Sequence, residues 1–143
     1  MAAFNKIQDF VEQLGLGKHN LNTDTQKCML TLTAPVATNT VKADLTDIAA
    51  GNGYTAGGED AQNTWAEAAG TGTLTGTKIT WTCVTAAMAA FRYITLYNDT
   101  QTSPADPLIG WWDYGASLTL QVGETFTIKF NSSDTTGTIL TLA

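Results

Sequence analysis

The sequence predicts an all-β fold, an antiparallel β-sandwich of jelly-roll type with one N-terminal amphipathic helix. Three runs predict it. In ETFTIKF at 124–130, Phe126, Ile128 and Phe130 alternate with Thr125, Thr127 and Lys129. KITWTCV at 78–84 puts Ile79, Trp81 and Cys83 on one side and Lys78, Thr80 and Thr82 on the other. FRYITLY at 91–97 separates Phe91, Tyr93 and Tyr97 from Arg92, Ile94 and Leu96. Alternation with period two gives a strand one apolar and one hydrated face, and a chain built mostly from such strands closes as a sandwich or small barrel.

The chain reads as a single domain, 1–143, with the helix in 1–17 and the sandwich in 26–143. Phe4, Ile7, Val11 and Leu14 recur at i, i+3, i+7 and i+10, Phe10 lies beside them, and Lys6, Asp9, Glu12 and Gln13 lie opposite. That is the pattern of an amphipathic helix of about three turns, stopped by Gly15 and Gly17. Its apolar face either caps the open end of the sandwich or packs on another subunit, which makes Phe4, Ile7 and Val11 interface candidates. From 26 to 33, Cys28, Leu30 and Leu32 alternate with Lys27, Met29 and Thr31, and Pro35 ends the strand.

Asp44 or Thr46 is expected to cap a helical turn before GNGY at 51–54 and GG at 57–58 break regular structure. This Gly-rich loop lacks the lysine and strand-to-helix frame of a phosphate-binding loop. The run 63–77 reads as one or two strands around a turn at Gly70 to Gly72, and TAAMAA at 85–90 carries no turn chemistry. A polar loop at 98–106 leads to Pro107, which opens LIGWWDY at 108–114. SLTLQ at 117–121, ETFTIKF and TILTL at 138–142 follow, joined by Val122-Gly123 and by a Ser/Asp/Gly loop. About eight short strands at roughly 8–15-residue spacing suit a jelly-roll or a related sandwich.

Only 14% of the residues are charged, against about 25% in an average soluble domain. Threonine fills the polar positions instead, and its β-branched side chain fits the pleat while its hydroxyl stays hydrated. Charge is the usual protection of strand edges, so part of this surface is expected to be covered by copies of the chain or by a partner. A net charge of −6 argues against binding nucleic acid, which needs clustered Lys and Arg. No run approaches the ~20 apolar residues of a membrane span, and the N-terminus shows no basic region followed by a cleavage site.

Cys28 and Cys83 sit on inward faces and are expected to be buried thiols, consistent with folding in a reducing compartment. Catalysis by a Ser/His/Asp or Cys/His set needs a base, and His19, the one histidine, stands in a polar link with no identifiable nucleophile. Structural zinc would need four Cys or His ligands. Asn98, Asp99 and Asp106 offer oxygen ligands for calcium at a loop tip, in a spacing that matches no calcium loop. No enzyme, no cofactor and no metal are expected. Trp111 and Trp112 are adjacent, so in a strand their indoles point to opposite faces. Either the strand is covered on both sides, or one indole anchors a subunit interface, where Trp is enriched. Trp111, Trp112 and Tyr114 join the interface candidates.

Leu21-Asn22-Thr23-Asp24-Thr25, Thr33-Ala34-Pro35-Val36-Ala37, Ile48-Ala49-Ala50-Gly51-Asn52-Gly53-Tyr54, Leu96-Tyr97-Asn98-Asp99, Pro107-Leu108-Ile109-Gly110-Trp111-Trp112-Asp113-Tyr114 and Gly123-Glu124-Thr125-Phe126 together resemble a group of small virion-associated proteins of tailed bacteriophages. The resemblance runs from about Phe4 to the C-terminus. It implies a non-enzymatic structural protein, most plausibly a capsid decoration or cement protein on the outside of the head. The partners implied are the major capsid protein and further copies of the chain, a homo-oligomer such as a trimer, folded in the cytoplasm of the bacterial host. A tail, neck or spike component is the alternative. A carbohydrate-binding β-sandwich is a further one, since exposed Trp and Tyr stack on sugars.

Overall fold

A computed structural model describes residues 2–131 and 135–143. In chain order the elements are β1 (Asn5–Lys6), α1 (Asp9–Gly15), β2 (Gln26–Thr31), β3 (Glu59–Asp60), β4 (Thr64–Ala68), β5 (Thr71–Gly76), β6 (Ile79–Thr82), β7 (Phe91–Asn98), β8 (Leu108–Leu118), β9 (Thr125–Ile128) and β10 (Gly137–Leu142). The fold is all-β and antiparallel. A jelly-roll holds eight strands in two sheets. Here the strands divide into three sheets, ordered β1-β8-β7-β2-β3, β10-β5-β4 and β6-β9. Part of the expected Ser/Asp/Gly connection before β10 falls at 132–134, outside the described residues.

The central strands β2 and β7 are apolar on both faces. Cys28, Met29, Leu30 and Thr31 are all buried, as are Ile94, Thr95, Leu96 and Tyr97, so the simple alternation expected for these two runs does not hold. Leu32, expected inside, is 53% exposed. The segment 33–58 lies against this part of the sheet and is bonded to it, with an antiparallel bridge between Thr31 and Asp47. Ile48 N–H donates to Leu30 O (3.2 Å) and Thr31 Oγ1 to Thr46 O (2.6 Å). Tyr54 Oη accepts the Leu30 N–H (3.1 Å) and donates to Asp47 (2.5 Å), while Tyr97 Oη donates to Gly57 O (2.8 Å). Within that segment a 3-10 turn spans Lys42–Asp44. Asp44 accepts the N–H groups of Thr40 and Val41 at 2.7 and 3.2 Å, so it ends this turn, whereas the expected turn follows a cap at Asp44 or Thr46.

The N-terminal segment is also corrected. Phe4 to Lys6 is extended, because β8 offers an edge to pair with: Asn5 lies opposite Trp111 and Lys6 opposite Gly110. Ile7 N–H then donates to Ile109 O (3.0 Å). The helix begins only at Asp9 and buries Phe10. A three-turn helix would leave this edge unpaired, and backbone pairing of a buried strand outweighs a helical spacing of side chains.

One-sided strands follow the expected pattern. Ile79, Trp81, Phe126 and Phe130 are buried, and Thr80 and Thr127 bond hydroxyl to hydroxyl (2.9 Å) on the exposed face of β6 and β9. Phe126 meets Trp81, Phe91 and Tyr114 at ring-centroid distances of 6.1, 4.9 and 5.6 Å. The run 63–77 is a hairpin turning at Ala69-Gly70, whose φ values of 50° and 82° are those of a two-residue type I′ turn. In 85–90 the chain is tucked by Met88, buried and bonded through its N–H to Leu120 O (3.0 Å).

Candidate functional site

The segments 108–114 and 117–121, expected as two strands, form β8 and its continuation. Tyr93 lies opposite Asp113 and Phe91 opposite Leu118, so residues 114–117 bulge out against Arg92 alone. Gly115, at φ +98°, takes the left-handed conformation that the bulge needs. A bidentate ion pair fixes its start: Arg92 Nε and Nη2 donate to the two Asp113 carboxylate oxygens at 2.8 and 2.9 Å. The Gly115 N–H adds a bond to Asp113 (2.7 Å). The bonds from Arg92 and then Gly115 hold the Asp113 carboxyl below the usual range.

The bulge presents Tyr114. Its side chain is 51% exposed, yet its ring stands edge-on to Phe126, at 84°. Beside it runs a mostly apolar groove of about 160 Å³, lined by Ile94, Trp112, Tyr114, Phe126, Ile128 and Phe130 together with Ala2, Thr127 and Lys129. A half-exposed tyrosine over an apolar groove is the composition of an interface anchor.

The other candidates are placed differently. Trp112 is 8% exposed, between Phe4 (5.1 Å) and Phe130 (5.7 Å); it belongs to the core, because its face of β8 looks onto β9. Ile7 is buried for the same reason of pairing described above. Phe4 is half-buried on Gly110, and Trp111 is half-buried on the opposite face of β8. Val11 is 54% exposed on α1, away from the lining of the groove. Of the six residues, Tyr114, Trp112 and, through its ring contact, Phe4 are brought together; Trp111, Ile7 and Val11 are not.

His19, expected in a polar link as a solvent-facing or loop-bonding side chain, is buried. Its ring packs on Phe10 (5.1 Å) and its Nδ1 lies 3.2 Å from Asn98 Nδ2. Asn98, itself buried, also donates to Asp24 Oδ2 (2.7 Å), which accepts the Asn20 N–H (3.0 Å). Burial lowers the His19 pKa to about 4 against the pull of Asp24 and Asp9. A base held neutral and enclosed by these groups is a structural fastening between the 18–24 link and β7.

The two cysteines are free and buried. Burial pushes the Cys28 thiol up, and Cys83 Sγ donates to Ala86 O (3.0 Å) and Leu120 O (3.3 Å). Of the oxygens considered for calcium, Asn98 Oδ1 accepts the Thr100 N–H (3.0 Å) and Asp99 pairs with Lys27 (2.8 Å). Among the described residues no group of three or more His, Cys, Asp or Glu is arranged to hold a metal.

No protein family matches this chain, and no similar curated protein or solved structure was found.

Proposed function

We propose that the chain is a non-enzymatic structural protein of a phage virion, a decoration or cement protein on the outer surface of the capsid. Its partners in this reading are the major capsid protein and copies of itself. The observation that carries it is Tyr114, raised on a bulge that Arg92 and Asp113 clamp, half exposed above an apolar groove. The sequence strings that resemble small tailed-phage virion proteins, GWWDY above all, include this tyrosine. A chain of net charge −6 is repelled by packaged DNA and suits the outside of a shell. Attachment then stabilises the shell by mass action, because the protein binds the assembled lattice and not separated subunits.

The groove favours an inserted side chain over a sugar. Stacking on sugars uses exposed, coplanar rings, whereas Tyr114 stands at 84° to Phe126 and Trp112 is enclosed. Purified protein mixed with undecorated shells should bind at a copy number approaching that of the major capsid protein. Binding in a few to a few dozen copies would favour the tail, neck or spike reading, and absence of binding would count against decoration.

A further inference from the structure

The edge of the β10-β5-β4 sheet has a second use. The two-residue turn at 69–70 makes Ala68 and Thr71 the first hydrogen-bonded pair, so Ala66 with Thr73 and Thr64 with Thr75 are bonded inward as well. Trp65 and Glu67 therefore direct their backbone N–H and C=O groups away from the sheet. The Trp65 N–H is held only by Asn22 Oδ1, at 3.4 Å, and among the described residues the Glu67 N–H has no partner. The strand has none of the usual edge protections: no lysine, no proline, no bulge. Its one charge, Glu67, is folded back onto the Gly70 N–H (2.6 Å).

We propose that β4 pairs antiparallel with β4 of a second copy about a two-fold axis at Ala66, joining two three-stranded sheets into one of six. This names a surface for the self-association in the reading above. Centred there, Trp65 faces Glu67 of the other copy, and the two exchange their outward N–H and C=O groups on both sides of the axis. The outer face across the seam is Thr64, Ala66 and Ala68 of β4, continued by Thr73 and Thr75 of β5 and Thr138 of β10, without a charged side chain. Two copies that each carry −6 repel, and the seam limits that repulsion to Glu67, which each copy holds on its own Gly70 N–H; an antiparallel edge centred on Ala66 is the self-complementary, isologous surface a two-fold requires. Asn22 must swing aside for the ladder to close.

Sedimentation at protein concentrations up to about 100 μM tests this, since a dimer is governed by protomer concentration. The wild type should sediment as a concentration-dependent dimer. Glu67→Pro removes the outward N–H, which an edge strand tolerates, together with the carboxylate's exposed bond to the Gly70 N–H, and should leave a folded monomer. Asn22→Ala frees the Trp65 N–H and should strengthen the dimer several-fold. A wild type that stays monomeric, or a Glu67→Pro variant that dimerises like wild type, would overturn the proposal. Shell binding is scored separately on the same proteins: a dimer that ignores shells contradicts the decoration reading alone, and a monomer that decorates them contradicts this pairing alone.

Discussion

The Tyr114 ring stands perpendicular to that of Phe126, with centroids 5.6 Å apart, while half of its own surface faces solvent. The bulge at 114–117 makes this possible by lifting the side chain out of the plane of β8. Tyr114→Ala should therefore weaken attachment to shells by about 2 kcal/mol or more while costing folding far less. Trp112→Ala should behave in the opposite way and lower the urea midpoint strongly, because its indole fills space between Phe4 and Phe130. Equal effects of both on attachment would show that the anchor has been misassigned.

Gly110 is where β1 docks. A Cβ added there would stand 2.2 Å from Phe4 Cζ and 2.7 Å from Asn5 O. Gly110→Ala should cost on the order of 1–3 kcal/mol of stability by forcing both away. Adding Phe4→Ala should return part of that loss and not all of it, since the Asn5 carbonyl still collides; a double-mutant cycle in urea reads the coupling.

Phe126 touches three other rings and is the centre of the cluster between β6, β7 and β9. Phe126→Ala should destabilise the fold by about 3–5 kcal/mol. A loss under about 1 kcal/mol in chemical denaturation would place the core elsewhere.

Acid should loosen the link between α1 and β7. His19 is neutral in the folded protein down to about pH 4, whereas the unfolded chain takes up its proton near the ordinary value of 6.5. The unfolded state thus binds more protons between these limits, so stability is full above about pH 6.5, falls on the way to pH 4 and levels off below, a loss of at most about 3 kcal/mol. Burial alone would raise the Asp24 carboxyl, but bonds from Asn98, Asn20 and Gln101 with His19 nearby bring it below its ordinary 3.8. Its stabilisation is present above that value and is lost at still lower pH. Urea midpoints from pH 7.5 to 4 check this: His19→Gln should flatten that slope, and an unchanged slope would assign it to other groups.

Alternation was a sound guide where one face is wet, as for Ile79, Trp81, Phe126 and Phe130. It does not hold where both faces of a strand are covered: Met29, Thr31 and Thr95 are buried, Thr31 bonding to Thr46 of the 33–58 segment, and nothing in a strand's own period announces that its outer face will be covered. Phe4 to Leu14 carries helical spacing throughout, yet its first residues pair with β8, a long-range partner that local pattern does not contain. Both Trp112 and Tyr114 lie in the GWWDY string, and which ring is left outside depends on the bulge. Gly115 was its sequence signal, the left-handed residue just after the tyrosine. That His19 is buried and bonded, one of the two placements its polar link allows, is not legible locally, because its partners Asn98 and Asp24 are set by the fold and not by its neighbours in sequence.

Attachment by contact alone, strengthening an assembled shell, is the central claim, and virions made without this protein test it most directly. Heating them beside complete virions and following DNA release should show assembly intact but release at lower temperature, restored by adding back wild type and not Tyr114→Ala. Particles that lack the protein and hold their DNA as well as complete ones would contradict the cement role.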